Sequence, residues 1–113
     1  MKTYQLDLIK KYTDRPGFLG SFVHGDSLSL THWVLEKGAV LVEHSHPHEQ
    51  ISFVISGKMQ FNRPDGEPFT VEPGGFAVFP SNEPHSGLVL EESVMVDAFT
   101  PVREDFKKAM ENA

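Results

Sequence analysis

The sequence predicts an all-β sandwich or barrel closed by one short α-helix at its C-terminal end. Three observations predict it. Pro and Gly cut the chain at Arg15-Pro16-Gly17, His24-Gly25-Asp26, Lys37-Gly38, Ser56-Gly57, Pro64-Asp65-Gly66, Pro73-Gly74-Gly75 and Ser81-Asn82-Glu83-Pro84, all turn-like combinations. Between these cuts lie runs of strand length rich in Val, Ile, Phe and Leu. Across residues 18–99 no helical periodicity competes with that reading.

The clearest strands are residues 28–35, 39–44, 51–55, 58–62, 69–71, 76–79, 86–90 and 94–99. The tail differs in character. Thr100-Pro101 reads as an N-cap followed by a proline at the first helical position. Residues 102–112 are then rich in helix formers, with Phe106 and Met110 four apart on one face. A helix of about 101–111 is marginal alone, so it must pack on the barrel. No linker, repeat or low-complexity stretch interrupts the chain. Its 113 residues therefore read as one domain, 1–113, with the barrel over about 18–99.

Composition removes several function classes. There are no cysteines, so disulfides, thiolate metal sites and thiol nucleophiles are excluded. A net charge of −6 argues against a nucleic-acid surface, and 113 residues leave no room for a DNA-binding segment beside the barrel. The first residues, Met1 to Tyr12, carry no apolar stretch of signal-peptide length, and no run approaches the ~18 residues of a membrane span. The expectation is a soluble, cytoplasmic domain without nucleic-acid or membrane partners.

The histidines carry the chemistry. His44 and His46 are two apart, so on a strand both point the same way, with Cα atoms roughly 6–7 Å apart. Two imidazoles at that separation can converge on one ion. Their face continues backward through Val42 and Val40, which suits a barrel interior. Gln50 opens the next strand and shares a face with Ser52 and Val54. If that face is also internal, the Gln50 carbonyl is a third ligand, and His85, after Pro84, completes the set. Burying two imidazoles on an apolar face costs free energy unless something satisfies them. A single histidine is more often a surface or satisfied core residue, and His24 and His32 take that reading. His48 is expected at the barrel mouth or surface. Imidazole and amide donors suit one divalent transition metal ion: Zn, Ni, Fe, Mn or Co.

The second constellation runs from Asp97 to Phe106. Asp97 and Phe99 share a strand face, so an inward face places an acid near the metal. Arg103 can reach back over the barrel mouth and bind a substrate carboxylate through two parallel hydrogen bonds. Equally, Asp97 can pair with Arg103 as a clamp on the tail.

The wider spacing adds a resemblance. Gly38, five residues, His44-Ser45-His46, three residues, Gln50, six residues and Gly57 form one motif; Gly74, five residues, Pro80, four residues and His85 form another. Together they resemble the two motifs of the cupin superfamily. That resemblance implies a double-stranded β-helix, or jelly-roll barrel, with a metal at its centre. Gln50 stands where the general pattern has Glu, Gly75 where it has Asp, Asn82 where it has Gly and Val89 where it has Asn. Glu36-Lys37-Gly38-Ala39, the His44–His48 stretch, Gln50 and residues 97–106 are further similar to the small pectin-degradation cupins of the KdgF family, which also carry Gln at that position. This resemblance implies conversion of 4,5-unsaturated monouronates, released by pectin or alginate lyases, to linear keto forms. It assigns Asp97, Phe99 and Arg103 as functional residues, and implies a homodimer acting on a small anionic sugar. Two other readings stand beside it: a cupin dioxygenase or other metal-dependent small-molecule enzyme, and a non-catalytic binding domain.

Overall fold

The computed structural model describes residues 1–112. A 3₁₀ turn, Leu6–Leu8, leads into eight strands: β1 (Tyr12–Arg15), β2 (Phe18–His24), β3 (Ser29–Leu35), β4 (Val40–His44), β5 (Glu49–Asn62), β6 (Phe69–Val71), β7 (Phe76–Phe79) and β8 (His85–Thr100). Helix α1, Glu104–Glu111, follows. Every pairing is antiparallel, in the order β1-β2-β3-β8-β5-β6, with β4 also on β8 and β7 also on β5. The all-β expectation with one short C-terminal helix is what the structure shows. Among the described residues no helix is long and apolar enough to cross a membrane.

β5 and β8 organise the fold. They pair along most of their length, from Glu49↔Thr100 to Asn62↔Ser86. The second half of β8 also pairs with β3, and its first half with β4. Two sheet halves therefore share two continuous strands and enclose one core that includes Trp33, Leu35, Val54, Met59, Phe61, Val89 and Met95. The period-2 pattern explains which residues enter it. In β3 burial alternates strictly, with Ser29, Thr31, Trp33 and Leu35 inside.

Four local expectations need correction. Ser56-Gly57 is not a turn between two strands; it is a register shift within β5. Gly57 sits at φ 87, and a Cβ there would overlap the Ser93 side chain and the Glu92 carbonyl. Only glycine supplies that backbone without a clash. The likeness of Ser56-Gly57 to a turn is thus local, and pairing with β8 overrides it. Second, the sheet starts earlier than residue 18, with β1 at Tyr12–Arg15. Gly20 in β2 lies where the Phe22 and Trp33 rings fill the space that a Cβ would occupy. Third, Val40 and Val42 face outward, 56% and 65% exposed. The β4–β8 register shifts between Leu41 and His44, so Leu41, not Val42, lines the interior with His44. Fourth, α1 begins at Glu104 rather than at Pro101. Thr100 completes the β8 ladder opposite Glu49, and its hydroxyl donates to the Ser27 carbonyl (3.0 Å), so it caps no helix.

The helix packs as its spacing predicts. Phe106 is buried and stacks on Phe22 (centroids 4.6 Å, interplanar 11°), and Met110 lies against the same core. Asn82 has φ 64, a conformation that Asn tolerates better than most side chains, which accounts for Asn in the usual Gly position.

Gly57→Ala should lower the free energy of unfolding by at least about 2 kcal/mol, from the positive φ plus the overlap with β8. Urea unfolding would read it as a lower midpoint; an unchanged midpoint would mean that β5 and β8 can separate there without cost.

Candidate metal centre

β4 and β8 bring the first two histidines together. His44 lies directly opposite His85 in the ladder, with ring centroids 4.4 Å apart. His46, two residues past His44, places its ring 5.6 Å from His44 and 5.3 Å from His85. One ring nitrogen of each lies within 4.8 Å of those of the other two. Gln50, at the start of β5, is buried, and its Oε1 is 3.0 Å from His46 Nε2. All four residues expected as ligands therefore meet.

Hydrogen bonds fix which nitrogens are free. His44 Nδ1 lies 2.9 Å from the Val42 carbonyl, His46 Nδ1 3.0 Å from the His48 carbonyl, and His85 Nδ1 2.9 Å from the Glu83 carbonyl. A carbonyl only accepts, so each Nδ1 carries the hydrogen and donates it. In the neutral ring, each Nε2 then presents a lone pair, as a metal ligand requires. His85 Nε2 is buried and has no hydrogen-bond partner. The Gln50 amide nitrogen donates to Ser52 Oγ (2.9 Å), which turns Oε1 toward His46. Two lone-pair atoms thus face each other at 3.0 Å, an arrangement that a cation between them would satisfy. A proton serves poorly: burial lowers the pKa of His46, helped by the Arg103 charge, and burial also lowers that of His85. The donor set fits a divalent metal ion.

The cleft beside these atoms is lined by Asp97, Phe99 and Arg103 as well. Asp97 lies opposite Ser52 in the β5–β8 register, and Phe99 opposite Gln50, so cross-strand pairing alone explains their presence. Asp97 is buried. Burial pushes its pKa up to about 6, against the opposing pull of Ser52, Trp33, Arg103 and Gln50. Its Oδ2 accepts from Trp33 Nε1 (3.0 Å), while Oδ1 has no partner.

For Arg103 the structure decides only one of the two sequence readings, the clamp on Asp97, and against it. Arg103 makes no ion pair with Asp97. Instead Nε and Nη2 grip the two Asp105 oxygens at 2.9 and 2.7 Å, and the guanidinium lies over Phe99 (4.5 Å) and Phe106 (3.9 Å). Its backbone N–H donates to Ser29 Oγ (2.8 Å). His48 stands outside the histidine cluster: its Nε2 is 3.3 Å from the Val102 carbonyl, and its ring lies beside Phe99. His24 bonds Ser29 Oγ through Nδ1 (2.7 Å), but its Nε2 is buried without a partner, so it is a core histidine only half satisfied; His32 lies on the outer face of β3.

Sequence reasoning missed three contributors. Trp33 reaches Asp97 across 64 residues, a pairing that only the β3–β8 register reveals. Asp105 sets the Arg103 guanidinium, and its position two residues on was the available signal. The Asp14–Arg15 ion pair (2.9 Å) at the edge of the cleft had no signal beyond charge.

Comparison with known proteins adds four findings. The cupin domain family matches residues 31–96. The pectin degradation protein KdgF of Dickeya dadantii is 38% identical over 72 residues, a stretch covering 62% of this chain and 64% of that protein. The structure of KdgF from Halomonas sp. superposes with a TM-score of 0.85 at 28% identity, covering 93% of this chain and 99% of that one. An RmlC-like cupin from Shewanella frigidimarina gives 0.81 at 25% identity, with coverage of 88% and 90%.

Proposed function

This chain belongs to the cupin domain family, and from that premise we propose that it is a metal-dependent enzyme that converts 4,5-unsaturated monouronates from pectin or alginate breakdown into their linear keto forms. The observation that carries the reading is the lone-pair geometry: three histidines locked with Nδ1–H outward and Nε2 inward, one of them 3.0 Å from the Gln50 oxygen. The similarity to two proteins named KdgF, one of them a pectin degradation protein, supports the substrate class.

His44, His46, His85 and Gln50 would hold one ion, of Zn, Ni, Fe, Mn or Co type. A bound divalent ion supplies Lewis-acid stabilisation of negative charge on a substrate oxygen. All four donors are neutral, so the centre keeps a net positive charge and favours an anionic substrate.

The chemistry is a ring opening followed by a tautomerisation. The carbon-1 hydroxyl gives up its proton, the ring oxygen gains one, and the bond between that oxygen and carbon 1 breaks, leaving an aldehyde at carbon 1 and an enol at carbon 5. The enol loses its hydroxyl proton and gains a proton at carbon 4, giving the ketone. Asp97 would carry that proton through its unpartnered Oδ1, and a pKa of about 6 makes both of its forms accessible near neutrality. Trp33 holds the other oxygen and so fixes the carboxyl plane. Arg103 would bind the uronate carboxylate through the edge that Asp105 leaves free. Phe99 and Phe106 pin the guanidinium and keep water from its faces.

The test is loss of the double-bond ultraviolet absorbance of 4,5-unsaturated galacturonate or mannuronate. Metal-loaded protein should accelerate it far above buffer, with an aldehyde and a ketone appearing together. A rate no faster than buffer for both sugars would end the uronate reading.

A further inference from the structure

Strand β1 leaves its period where it meets the cleft. Tyr12 pairs with Gly20 and Thr13 with Leu19, but Arg15, not Asp14, pairs with Phe18. Asp14 is therefore an extra residue in the ladder, a β-bulge. On a regular strand Asp14 and Arg15 would point to opposite faces. The bulge brings both to the inner side, where they line the cleft that also holds the histidine cluster, Asp97 and Arg103.

The pair is held in place from several sides. Arg15 Nε donates to Asp14 Oδ2 (3.0 Å), and Nη2 lies 2.9 Å from the same oxygen. The guanidinium sits over the Phe18 ring, 5.5 Å from its centroid. The turn that follows is fastened to the start of β4. The Glu36 N–H donates to the Gly17 carbonyl (3.0 Å), and a Cβ on Gly17 would lie 2.6 Å from that of Ala39. The two side chains keep 30% and 21% of their surface in contact with solvent. An ion pair this exposed adds little to stability, so stability alone does not account for a bulge that delivers it to the cleft.

Arg103 and Asp105 are arranged differently. There two nitrogens meet two oxygens, so both oxygens of the acid are engaged. In the Asp14–Arg15 pair one oxygen takes both contacts, and Oδ1 has no part in the grip. The pair thus offers an acceptor beside a donor, with no net charge. A carboxylate takes donors only, whereas a hydroxyl both donates and accepts.

We propose that Asp14 and Arg15 bind the adjacent hydroxyls on carbons 2 and 3 of the sugar and so set the preference between uronate epimers; this rests on the uronate reading above. One hydroxyl donates to Asp14 and its neighbour accepts from Arg15. A substrate carboxylate brought to the pair would meet the Asp14 charge, so the acid end of the sugar belongs at Arg103 and its hydroxyl edge at Asp14 and Arg15. The unsaturated sugars derived from galacturonate and mannuronate differ only at carbon 2, because the double bond flattens carbons 4 and 5. The carbon-2 hydroxyl is what the pair distinguishes.

Steady-state kinetics on both sugars tests the assignment, with metal-loaded wild type, Asp14→Asn and Arg15→Met. Each variant should lower kcat/KM for the better sugar by about 10- to 100-fold, the worth of a hydrogen bond to a charged group. The loss should fall mainly on KM, since the hydroxyls are held in ground state and transition state alike. The ratio of kcat/KM between the two sugars should move by at least about 5-fold. Both variants should keep the metal-induced rise in Tm, because neither residue belongs to the histidine cluster. An equal fall for both sugars, or no fall for either, overturns the proposal and leaves the uronate reading standing. Loss of the native circular dichroism spectrum in both variants also overturns it, by making the pair a staple of the β1–β2 hairpin. Wild type no faster than buffer on either sugar removes the uronate reading, and this assignment with it.

Discussion

Asp97→Asn should abolish uronate conversion, lowering turnover by about 10²- to 10⁴-fold, and should also make the metal-free protein more tolerant of alkaline pH. The two effects share one cause. Asp97 is buried, and its folded pKa of about 6 lies above the ordinary carboxylate value of 3.8. A raised folded pKa means that the native state holds the proton more tightly than the unfolded chain. The resulting stability is fully present below pH 3.8 and is lost as pH rises through 6. The shift corresponds to about 3 kcal/mol by pH 8. Asn does not ionise, so the variant escapes that loss. Its amide oxygen can accept from Trp33 Nε1, which leaves the amide NH₂ where Oδ1 now lacks a partner. That unsatisfied donor costs the variant about 1–3 kcal/mol at every pH. Urea unfolding of the metal-free proteins at pH 4 and pH 8 separates the terms. Wild type should lose up to about 3 kcal/mol relative to the variant between the two pH values. Parallel pH profiles would show that Asp97 does not sit in a desolvated site, and a fully active Asn variant would remove it from proton transfer.

His85→Ala should cost the protein its response to divalent metal. His85 is the most buried of the three ring donors and lies opposite His44 on the strand that also carries Asp97. Removing it leaves two imidazoles and one amide, too few to enclose the ion. Affinity should fall by more than the roughly 10- to 100-fold typical of losing a group that only orients a ligand. In wild type, metal at 100 times its Kd adds about 2.7 kcal/mol, seen as a Tm rise of several degrees. In His85→Ala that rise should vanish. The metal-free variant should itself be less stable by about 2 kcal/mol, because the ring packs on Phe79 at 4.5 Å and leaves a cavity. His48→Ala is the control. Its ring lies edge-on beside His46 (centroids 5.5 Å), but its Nε2 faces the Val102 carbonyl and its nitrogens are not among those that converge, so it should keep the metal-induced rise. An equal rise in wild type and His85→Ala would place the ion elsewhere.

The histidine cluster was readable in sequence because a strand's period is fixed: residues two apart share a face, and Gln50 with Ser52 and Val54 obeys the same rule. The rule failed where the chain leaves its period. The register shift between Leu41 and His44 turned Val40 and Val42 outward while still delivering His44 inward. Gly57 looks like a turn over four residues and is a bulge over fourteen, because the ladder to β8 decides the matter and local propensity does not. Asp97, Phe99 and Arg103 were found, but their partners were not. Trp33 is remote in sequence, and the grip of Asp105 on Arg103 depends on where the chain turns between Thr100 and Glu104. Ile51, Phe53 and Ile55 lie on the outer side of β5, and composition cannot tell them from core residues until the register shows the opposite side of the strand already filled.

The central claim is that His44, His46, Gln50 and His85 hold an ion on which sugar-acid turnover depends. Metal content and turnover, measured on the same purified sample before chelation, after it, and after metal is restored, test this most directly. One divalent ion per chain is expected, with activity that disappears with the ion and returns with it. Undiminished uronate turnover by fully stripped protein would contradict it, as would failure of the stripped protein to take up any divalent ion at neutral pH.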